Sequence, residues 1–204
     1  MSQSFDVILF DLGGVLIKLG PSPVPTDTLP ATSQFVLGDW FNSAAAIAFE
    51  KGQVSPAVFA DSLRQELGID CDRKRLLEHF TRWPIGFYDG VRELLQTLRQ
   101  DYRLAVLSNT NALHWNRFIT EFGLAEQVDH IFASHLLAMC KPEPAIFRHV
   151  CDTLGCRPEQ ILFFDDNAVN VEAAGSLGLQ AQQVQGIEQL TAALQARSAI
   201  AARQ

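Results

Sequence analysis

The sequence predicts an α/β fold in which a doubly wound parallel sheet carries a small inserted helical unit. From residue 89 onward, short apolar runs of strand length alternate with amphipathic helices, and this alternation is typical of a parallel sheet with helices on both faces. An earlier stretch has helical periodicity without strand-like runs, and it separates the first apolar run from the others. We therefore predict a core made of residues 1–15 and 87–204, with a helical cap at 16–86.

The first strand and two breaks in the pattern define how the cap is inserted. The apolar run Val7–Phe10 has strand length and must join the sheet across the cap. The segment Gly20–Pro25 alternates prolines with other residues, so it predicts a linker, and a motif for a proline-binding partner is the alternative interpretation. The second break is Trp83–Gly86, where a proline and a glycine interrupt the helical pattern.

At least three helices are predicted inside the cap. The first runs from Leu37 to Glu50. The second begins at Pro56 behind the capping residue Ser55 and ends at Gly68. A third is indicated by an apolar stripe at Leu76, Leu77, Phe80 and Trp83. Amphipathic helices without strands predict a small helical bundle.

The core elements then follow in alternation. Strands are predicted at residues 104–107, 131–133, 161–164 and 180–184. Helices are predicted at about 90–100, 111–122, 142–154 and 168–177, and a final helix frays in the alanine-rich tail from residue 191. Lys141–Pro142 is expected to start its helix, because proline is favoured in the first helical turn.

Polar side chains stand where the predicted strands end. Asp11 follows the first strand and precedes two glycines, Ser108 follows the second strand of the core, and Asp165 and Asp166 follow a later one. Lys141 lies in the segment between them. Ligands of α/β sheets bind beyond the carboxyl ends of the strands, so these side chains are expected to converge. Because carboxylates repel an anionic ligand unless a cation lies between them, the sequence predicts one site that combines both charges.

These motifs resemble those of the haloacid dehalogenase superfamily, in the branch whose small helical cap follows the first strand. The matching segments are Phe10–Leu16, Leu107–Thr110, Lys141–Pro142 and Phe163–Asn167. Within the superfamily, the chain looks most similar to bacterial α-D-glucose-1-phosphate phosphatases and to the phosphatase domain of soluble epoxide hydrolases. The resemblance implies a Rossmann-like core and hydrolysis of a small phosphate ester through an aspartyl phosphate on Asp11.

The resemblance also implies a Mg²⁺ site, since Mg²⁺ prefers a few hard oxygen ligands. Asp11 and Asp166 would supply carboxylate oxygens, and the backbone carbonyl of Gly13 would complete the protein ligands. Asp165 would orient the metal shell and accept hydrogen bonds from Lys141. The Gly13 backbone is also expected to lie against the substrate.

The phosphate group of the substrate is assigned to a second set of residues. Ser108 would donate a hydrogen bond to a phosphate oxygen, together with the backbone N–H of Asn109. Lys141 would neutralise phosphate charge as a point cation. For Asn167 and Asn170, a capping or supporting role and direct contact remain alternatives.

Gly13 departs from the common phosphatase pattern of the superfamily, in which an aspartate at this position acts as general acid and base. A phosphatase without that acid should prefer leaving groups that need little protonation. We therefore expect sugar-1-phosphates or aryl phosphates to react faster than alkyl phosphates. An acid from the cap, His79 or Glu50, is the alternative, although each is more simply interpreted as a packed or solvated helix residue.

Composition narrows the partners of the protein. A net charge of −7 disfavours nucleic acid and anionic membrane surfaces, so we expect a small phosphate ester as partner and a monomer or dimer. The four cysteines lack metal-ligand spacing, and no apolar run approaches the length of a membrane span, so a reducing cytoplasm fits best.

Two other functions use parts of the same motifs. A 2-haloacid dehalogenase also has an aspartate nucleophile, but it needs no metal, and the pair Asp165–Asp166 makes little sense without a cation. A non-catalytic module that binds a phosphorylated ligand or a protein partner would explain Gly13. The presence of Asp11, Lys141 and Asp166 argues against that module.

Overall fold

The computed structural model describes residues 5–31, 40 and 42–200, and its core is a five-stranded parallel sheet. The strands lie in the order β5-β4-β1-β6-β7, and every neighbouring pair is parallel. Their bounds are Val7–Phe10 (β1), Arg103–Ser108 (β4), His130–Ala133 (β5), Ile161–Asp165 (β6) and Gln180–Gln183 (β7). The predicted fold class is confirmed, and the carboxyl ends of all five strands lie at one edge.

Helices cover both faces of the sheet. In the central strand β1, Ile8 and Phe10 pack into the apolar cluster on one face, whereas Val7 and Leu9 pack into the cluster on the other. The first face is covered by α4 (Val91–Leu98) and α9 (Gly186–Ala196), and the second by α7 (Pro144–Leu154) and α8 (Ala168–Ser176). A strand buried on both faces has to be apolar throughout, which explains the unbroken run Val7–Phe10.

The predicted helix at 111–122 is present but is not uniform. It begins as α5 (Ala112–Asn116), capped by the Asn111 side chain, and continues as one π-helical segment, Arg117–Glu121. Gly123, in the left-handed region at φ 65°, lies just beyond its end. π-Helical turns insert one extra residue and often occur near functional sites.

The expectation that a helix starts at Lys141–Pro142 is wrong. Helix α7 begins at Pro144, and Lys141 lies in the turn before it. The side chain of Asn109 explains the difference, because its oxygen accepts from the Lys141 backbone N–H at 2.8 Å and its amide donates to the Lys141 carbonyl at 2.9 Å. A side chain 32 residues away in sequence therefore holds Lys141 out of the helix.

Among the described residues of the predicted cap segment, three α-helices have defined bounds: α1 (Ala44–Glu50), α2 (Pro56–Leu67) and α3 (Arg73–Thr81). The predicted stretch Leu37–Asp39 at the start of the first helix lies outside the described residues. Aromatic rings join the helices, with Phe49 stacked on Phe59 at 4.3 Å between ring centroids. The cap therefore has an apolar cluster of its own, separate from the two clusters of the sheet.

The cap segment also contains two strands that the sequence analysis missed. Strand β2 (Ile17–Leu19) pairs antiparallel with β3 (Pro84–Phe87), which replaces the predicted break at Trp83–Gly86. The proline and glycine looked like breakers, but proline is compatible with the first residue of a strand. This two-stranded sheet brings the two ends of the cap segment together beside the core.

The remaining sequence expectations concern irregular segments and thiols. Residues 20–25 form neither helix nor strand, as predicted, yet Val24 is buried in the cap cluster, so the segment is packed rather than extended into solvent. The four cysteines are free. No helix in the described part of the chain is long and apolar enough to cross a membrane.

Candidate active site

Side chains from several loops meet in one cavity at the carboxyl edge of the sheet. Asp11 directly follows β1, Ser108 ends β4, and Asp165 ends β6. They line a cavity of about 340 Å³ together with Lys141 and Asp166. The site residues predicted from the sequence are thus gathered in one place, between the sheet edge and the cap.

The ammonium group of Lys141 joins two of the carboxylates. Its Nζ donates to Asp11 Oδ1 and to Asp165 Oδ2 at 2.6 Å each, and to the Leu107 carbonyl at 2.9 Å. The Lys141 side chain is 1% exposed. Three acceptors satisfy all three protons of the ammonium, so the lysine is fixed rather than free to reach for a ligand.

Asp165 is fully enclosed and hydrogen-bonded on both oxygens. Its Oδ1 accepts from the Asn167 backbone N–H at 2.8 Å, and the Asn170 amide contacts both oxygens at 3.0 and 3.1 Å. With Lys141 as a further donor, the lone pairs of Asp165 are occupied. Such a carboxylate fits the predicted role of orienting neighbouring groups better than that of a direct metal ligand.

Asp166 differs from Asp165, because the hydrogen bond that its carboxylate receives comes from its own backbone N–H rather than from Lys141 or Asn170. One oxygen each from Asp11, Asp165 and Asp166 lies within 4.8 Å of the others. Gly14 makes room for this arrangement: its φ is +75°, and a Cβ built at Gly14 would collide with the Asp166 carboxylate. The glycine that follows Gly13 therefore opens a space bounded by carboxylate oxygens.

The electrostatics of this group favour a divalent cation. Burial and the charges of Asp165 and Asp166 raise the pKa of Asp11 to about 8, although the Lys141 ammonium acts in the opposite direction. Burial and the charge of Asp165 raise the pKa of Asp166 to about 6. Carboxylates that repel one another remain ionised together when a cation lies between them. Asp11 and Asp166 thus offer carboxylate oxygens of the kind that Mg²⁺ prefers, with Asp165 beside them.

The loop after β4 forms the predicted phosphate side of the cavity. Ser108 is buried and makes only a 3.5 Å contact with the Asn109 carbonyl, so its hydroxyl is available to a ligand. Thr110, which the sequence analysis quoted but did not assign, also lines the cavity. Its hydroxyl is buried without a hydrogen-bond partner among the described residues. Buried hydroxyls are normally paired, so an unpaired one beside a cavity points to a ligand.

Leu19, on the neighbouring strand β2, lies beside Gly13. A Cβ at Gly13 would lie 3.2 Å from Leu19 Cδ1, a tight contact that a small shift of the leucine side chain would relieve. Gly13 itself lines the cavity, which is compatible with the predicted use of its backbone.

Glu50, at the end of cap helix α1, was interpreted as a packed or solvated residue, but it lines the cavity. Trp40 Nε1 donates to Glu50 Oε1 at 3.3 Å, and burial raises the pKa of Glu50 to about 7. His79 instead contacts the Ser22 carbonyl and does not line this cavity. The sequence offered no periodic or spacing signal for Glu50, since its position depends on how the cap meets the core.

Ser134, a buried serine at the start of the short helix α6 (Ser134–Leu137), fixes the position of α1 against the core. Ser134 Oγ donates to the Glu50 carbonyl at 2.6 Å and contacts the Thr110 carbonyl at 2.9 Å. It also accepts from the Thr110 backbone N–H at 2.9 Å. The end of the cap helix and the loop after Ser108 are therefore joined through one hydroxyl, a contact the sequence analysis missed.

Comparisons with known proteins agree with this geometry. The model of the haloacid dehalogenase-like hydrolases matches residues 5–178. The chain is 26% identical over 200 residues to a phosphoglycolate phosphatase of Haemophilus influenzae, which covers 87% of this chain and 84% of the relative. It is also 26% identical over 180 residues to a sesquiterpene phosphatase of Aspergillus oryzae, with 88% and 89% covered.

A solved structure shares the whole architecture. It is a haloacid dehalogenase-family enzyme of Bacteroides thetaiotaomicron in complex with magnesium and inorganic phosphate, 26% identical, with a TM-score of 0.72. The comparison covers 89% of this chain and 94% of that one. Since the family model spans most of the sequence and the fold agrees, this chain belongs to the haloacid dehalogenase-like hydrolases.

Proposed function

We propose that the protein is a Mg²⁺-dependent phosphatase that hydrolyses small phosphomonoesters through an aspartyl phosphate on Asp11. One observation carries the proposal. The Asp11 carboxylate borders a cavity where Asp166 faces it and Lys141 fixes one of its oxygens, with the Ser108 hydroxyl on the same wall. Phosphoryl transfer needs positioning and charge neutralisation above all, and this site supplies both.

Asp11 is the proposed nucleophile. Lys141 holds Asp11 Oδ1, so the other oxygen is left to form a bond with phosphorus while the bond from phosphorus to the leaving oxygen breaks. In the second step, water attacks phosphorus and the bond to Asp11 breaks, which releases inorganic phosphate. Ser108 and the Asn109 backbone N–H would hold phosphate oxygens in both steps.

The proposed metal ligands are Asp11, Asp166 and the carbonyl of Gly13, and Asp165 orients the group through Lys141. A bound Mg²⁺ would neutralise charge where an anionic nucleophile meets an anionic phosphate. The raised pKa values of Asp11 and Asp166 support this assignment, because the carboxylates need a cation to be ionised together at neutral pH.

The charges of the cavity favour a neutral leaving group. Among the described residues that line the cavity, the basic side chains are Lys141 and His114. All three ammonium protons of Lys141 are engaged. The undescribed residues 32–39 and 41 contain no lysine or arginine. Carboxylates and apolar groups such as Trp83 and Leu19 make up much of the remaining wall.

The charges of the cavity wall can be compared with the substrates named for the two relatives. Phosphoglycolate, named for the relative from Haemophilus influenzae, carries a second negative charge that the cavity wall would repel. Hydrolysis of a sesquiterpene phosphate, the substrate class named for the relative from Aspergillus oryzae, releases a neutral alcohol. Hydrolysis of a sugar phosphate also releases a neutral alcohol. The resemblance to glucose-1-phosphate phosphatases stays a prediction within this class.

Phosphate release from a panel of substrates tests the proposal. The panel contains p-nitrophenyl phosphate, glucose-1-phosphate, glucose-6-phosphate and phosphoglycolate, each assayed with Mg²⁺ and with chelator. We expect metal-dependent release that is lost in Asp11→Asn, with phosphoglycolate the poorest substrate. Release that persists in chelator or in Asp11→Asn would contradict the mechanism. Dechlorination of 2-chloropropionate without phosphate release would instead identify a dehalogenase.

A further inference from the structure

The proposed reaction lacks a proton donor for the leaving oxygen. Gly13 has no side chain, and Leu19 occupies the space beside it. An alkyl phosphate without proton donation leaves as a poor alkoxide, and a positioned acid typically contributes about 10²–10⁴-fold in rate. Another protonated group on the cavity wall would have to supply this proton.

Most titratable groups on the wall are unsuited to this task. Burial lowers the pKa of His114 to about 4, and its ring nitrogens contact the Phe80 carbonyl at 2.7 Å and the Asn111 amide at 3.2 Å. Burial raises the pKa of Cys140 to about 12, so its thiol holds its proton. Glu143 is half-exposed and paired with Lys51. None of these three groups is therefore suited to donate a proton near neutral pH: the His114 ring is neutral and engaged on both nitrogens, the Cys140 thiol holds its proton, and Glu143 is ion-paired.

Glu50 lacks these disadvantages. Its Oε1 accepts from Trp40 Nε1, which leaves Oε2 to carry a proton. Its backbone is fixed by Ser134, the residue that also holds Thr110, two positions after Ser108. The charge of Lys141, which contacts Asp11 directly, also acts on the Glu50 carboxyl. Glu50 therefore belongs to the wall of the same cavity as Asp11 and Ser108, and its backbone is tied to the loop that follows Ser108.

We propose that Glu50 is the general acid and base of this enzyme, supplied by the cap in place of a residue at position 13. The proposal rests on the phosphatase function proposed above. In the first step, the proton of the Glu50 carboxyl moves to the leaving oxygen as its bond to phosphorus breaks. In the second step, the Glu50 carboxylate takes a proton from the attacking water, which restores the acid.

The protonation state of Glu50 suits both steps. Burial raises its pKa to about 7, against the hydrogen bond of Trp40 and the charge of Lys141. Both forms are thus populated near neutral pH, as a group that alternates between acid and base requires. The other titratable or charged groups on elements packed around α1 include His135, Cys140 and Lys141 on the core side, Glu143 paired with Lys51, Asp61 and Arg64 on α2, and Glu66 bound to the Ala45 N–H.

Glu50→Gln tests the proposal because the amide retains an acceptor for Trp40 but cannot transfer the proton. The ratio kcat/KM reports the steps through the first phosphoryl transfer, so leaving groups are compared on that ratio. For glucose-6-phosphate we expect a loss of about 10²-fold or more, and for p-nitrophenyl phosphate, whose leaving group needs no proton, less than about threefold. Glucose-1-phosphate should fall between the two.

Two further variants keep the test independent of folding. Glu66→Gln changes a carboxylate that holds the other end of α1, away from the cavity, and should change kcat/KM for neither substrate. Glu50→Asp retains an acid and should keep more glucose-6-phosphate activity than Glu50→Gln. Equal losses on all substrates, or equal losses in Glu50→Asp and Glu50→Gln, would overturn the proposal. A wild-type protein without Asp11-dependent phosphate release would instead refute the phosphatase function itself.

The pH profile provides a signature that a structural role would not give. The ratio of glucose-6-phosphate to p-nitrophenyl phosphate kcat/KM should fall as the pH rises through about 7, because Glu50 then loses the proton that only the alkyl substrate needs. Effects of Lys141, Asp11 and His135 are common to both substrates and cancel in the ratio. In Glu50→Gln the ratio should no longer change with pH, and a ratio that still falls would refute the assignment.

Discussion

Replacing Lys141 with methionine tests whether its ammonium holds the carboxylates of the site together. Lys141 Nζ lies 2.6 Å from an oxygen of Asp11 and 2.6 Å from one of Asp165, and its side chain is 1% exposed. Methionine has a similar length and preserves packing, so the substitution removes the charge with little change in volume. Two buried carboxylates would then face each other without their cation.

The magnitude follows from the burial of these ion pairs. Removing one partner of a buried ion pair costs about 3–5 kcal/mol, because the remaining charge is left uncompensated. We expect Lys141→Met to lower the free energy of unfolding by this amount, about 3–5 kcal/mol, at pH 8 with chelator. The loss should be smaller at pH 6 than at pH 8, because without the ammonium the folded variant retains the Asp11 proton to higher pH than the wild type does, and this costs up to about 1.4 kcal/mol per pH unit.

Urea unfolding at pH 6 and pH 8, in chelator and in excess Mg²⁺, measures these differences. Lys51→Met is the matched control, since Lys51 pairs with the half-exposed Glu143 at the edge of the same cavity. A pair at the surface contributes about 0–1 kcal/mol, so the control should lose no more than that. Equal losses in the two variants, or a larger loss for Lys141→Met at pH 6 than at pH 8, would refute the reasoning.

Three further predictions concern the metal space, the phosphate loop and the titration of the site. Gly14→Ala should weaken Mg²⁺ binding about tenfold or more, because the new Cβ would collide with the Asp166 carboxylate at a cost of about 1–3 kcal/mol. Gly90→Ala, also at positive φ but facing open space, is the control and should leave Mg²⁺ titrations unchanged. Ser108→Ala should raise KM without lowering the free energy of unfolding. Ser134→Ala should lower the free energy of unfolding by about 1–3 kcal/mol, because it leaves buried partners without a hydrogen bond. The reverse pattern in urea unfolding and KM would contradict both assignments. In chelator, the free energy of unfolding of the wild-type protein should fall as the pH rises from about 5 to 8, by up to about 1.4 kcal/mol per pH unit. The reason is that folded Asp11, with a pKa of about 8, retains a proton that the unfolded chain has released. Urea midpoints that rise with pH over this range would contradict this.

The sheet and the chemistry at its edge were predictable because both depend on local sequence. Strand β1 is buried on both faces, so Val7–Phe10 had to be an unbroken apolar run. A parallel sheet then places Asp11, Ser108 and Asp165 at one edge without further information. Their convergence is a consequence of topology, and the residue types indicated the chemistry.

The missed features all depend on contacts between distant segments. Strand β3 forms despite Pro84 and Gly86, two residues that disfavour a strand, because β2 lies opposite it. Lys141 stays outside helix α7 because the side chain of Asn109 binds its backbone. Short segments such as these adopt the conformation that their partners impose, so local propensity has little weight there.

Glu50 shows the same limit at the level of function. Its nearest sequence neighbours belong to a helix of the cap, and Asp11 lies 39 positions away on the core. Ser134 binds both the Glu50 carbonyl and Thr110, so it helps to fix the backbone of Glu50 relative to the loop after Ser108. In the proposed mechanism, the nucleophile and the phosphate contacts reside in the core, whereas proton transfer and the choice of leaving group reside in the cap. A change in the cap can then alter which ester is hydrolysed while Asp11, Lys141 and the carboxylate pair remain as they are.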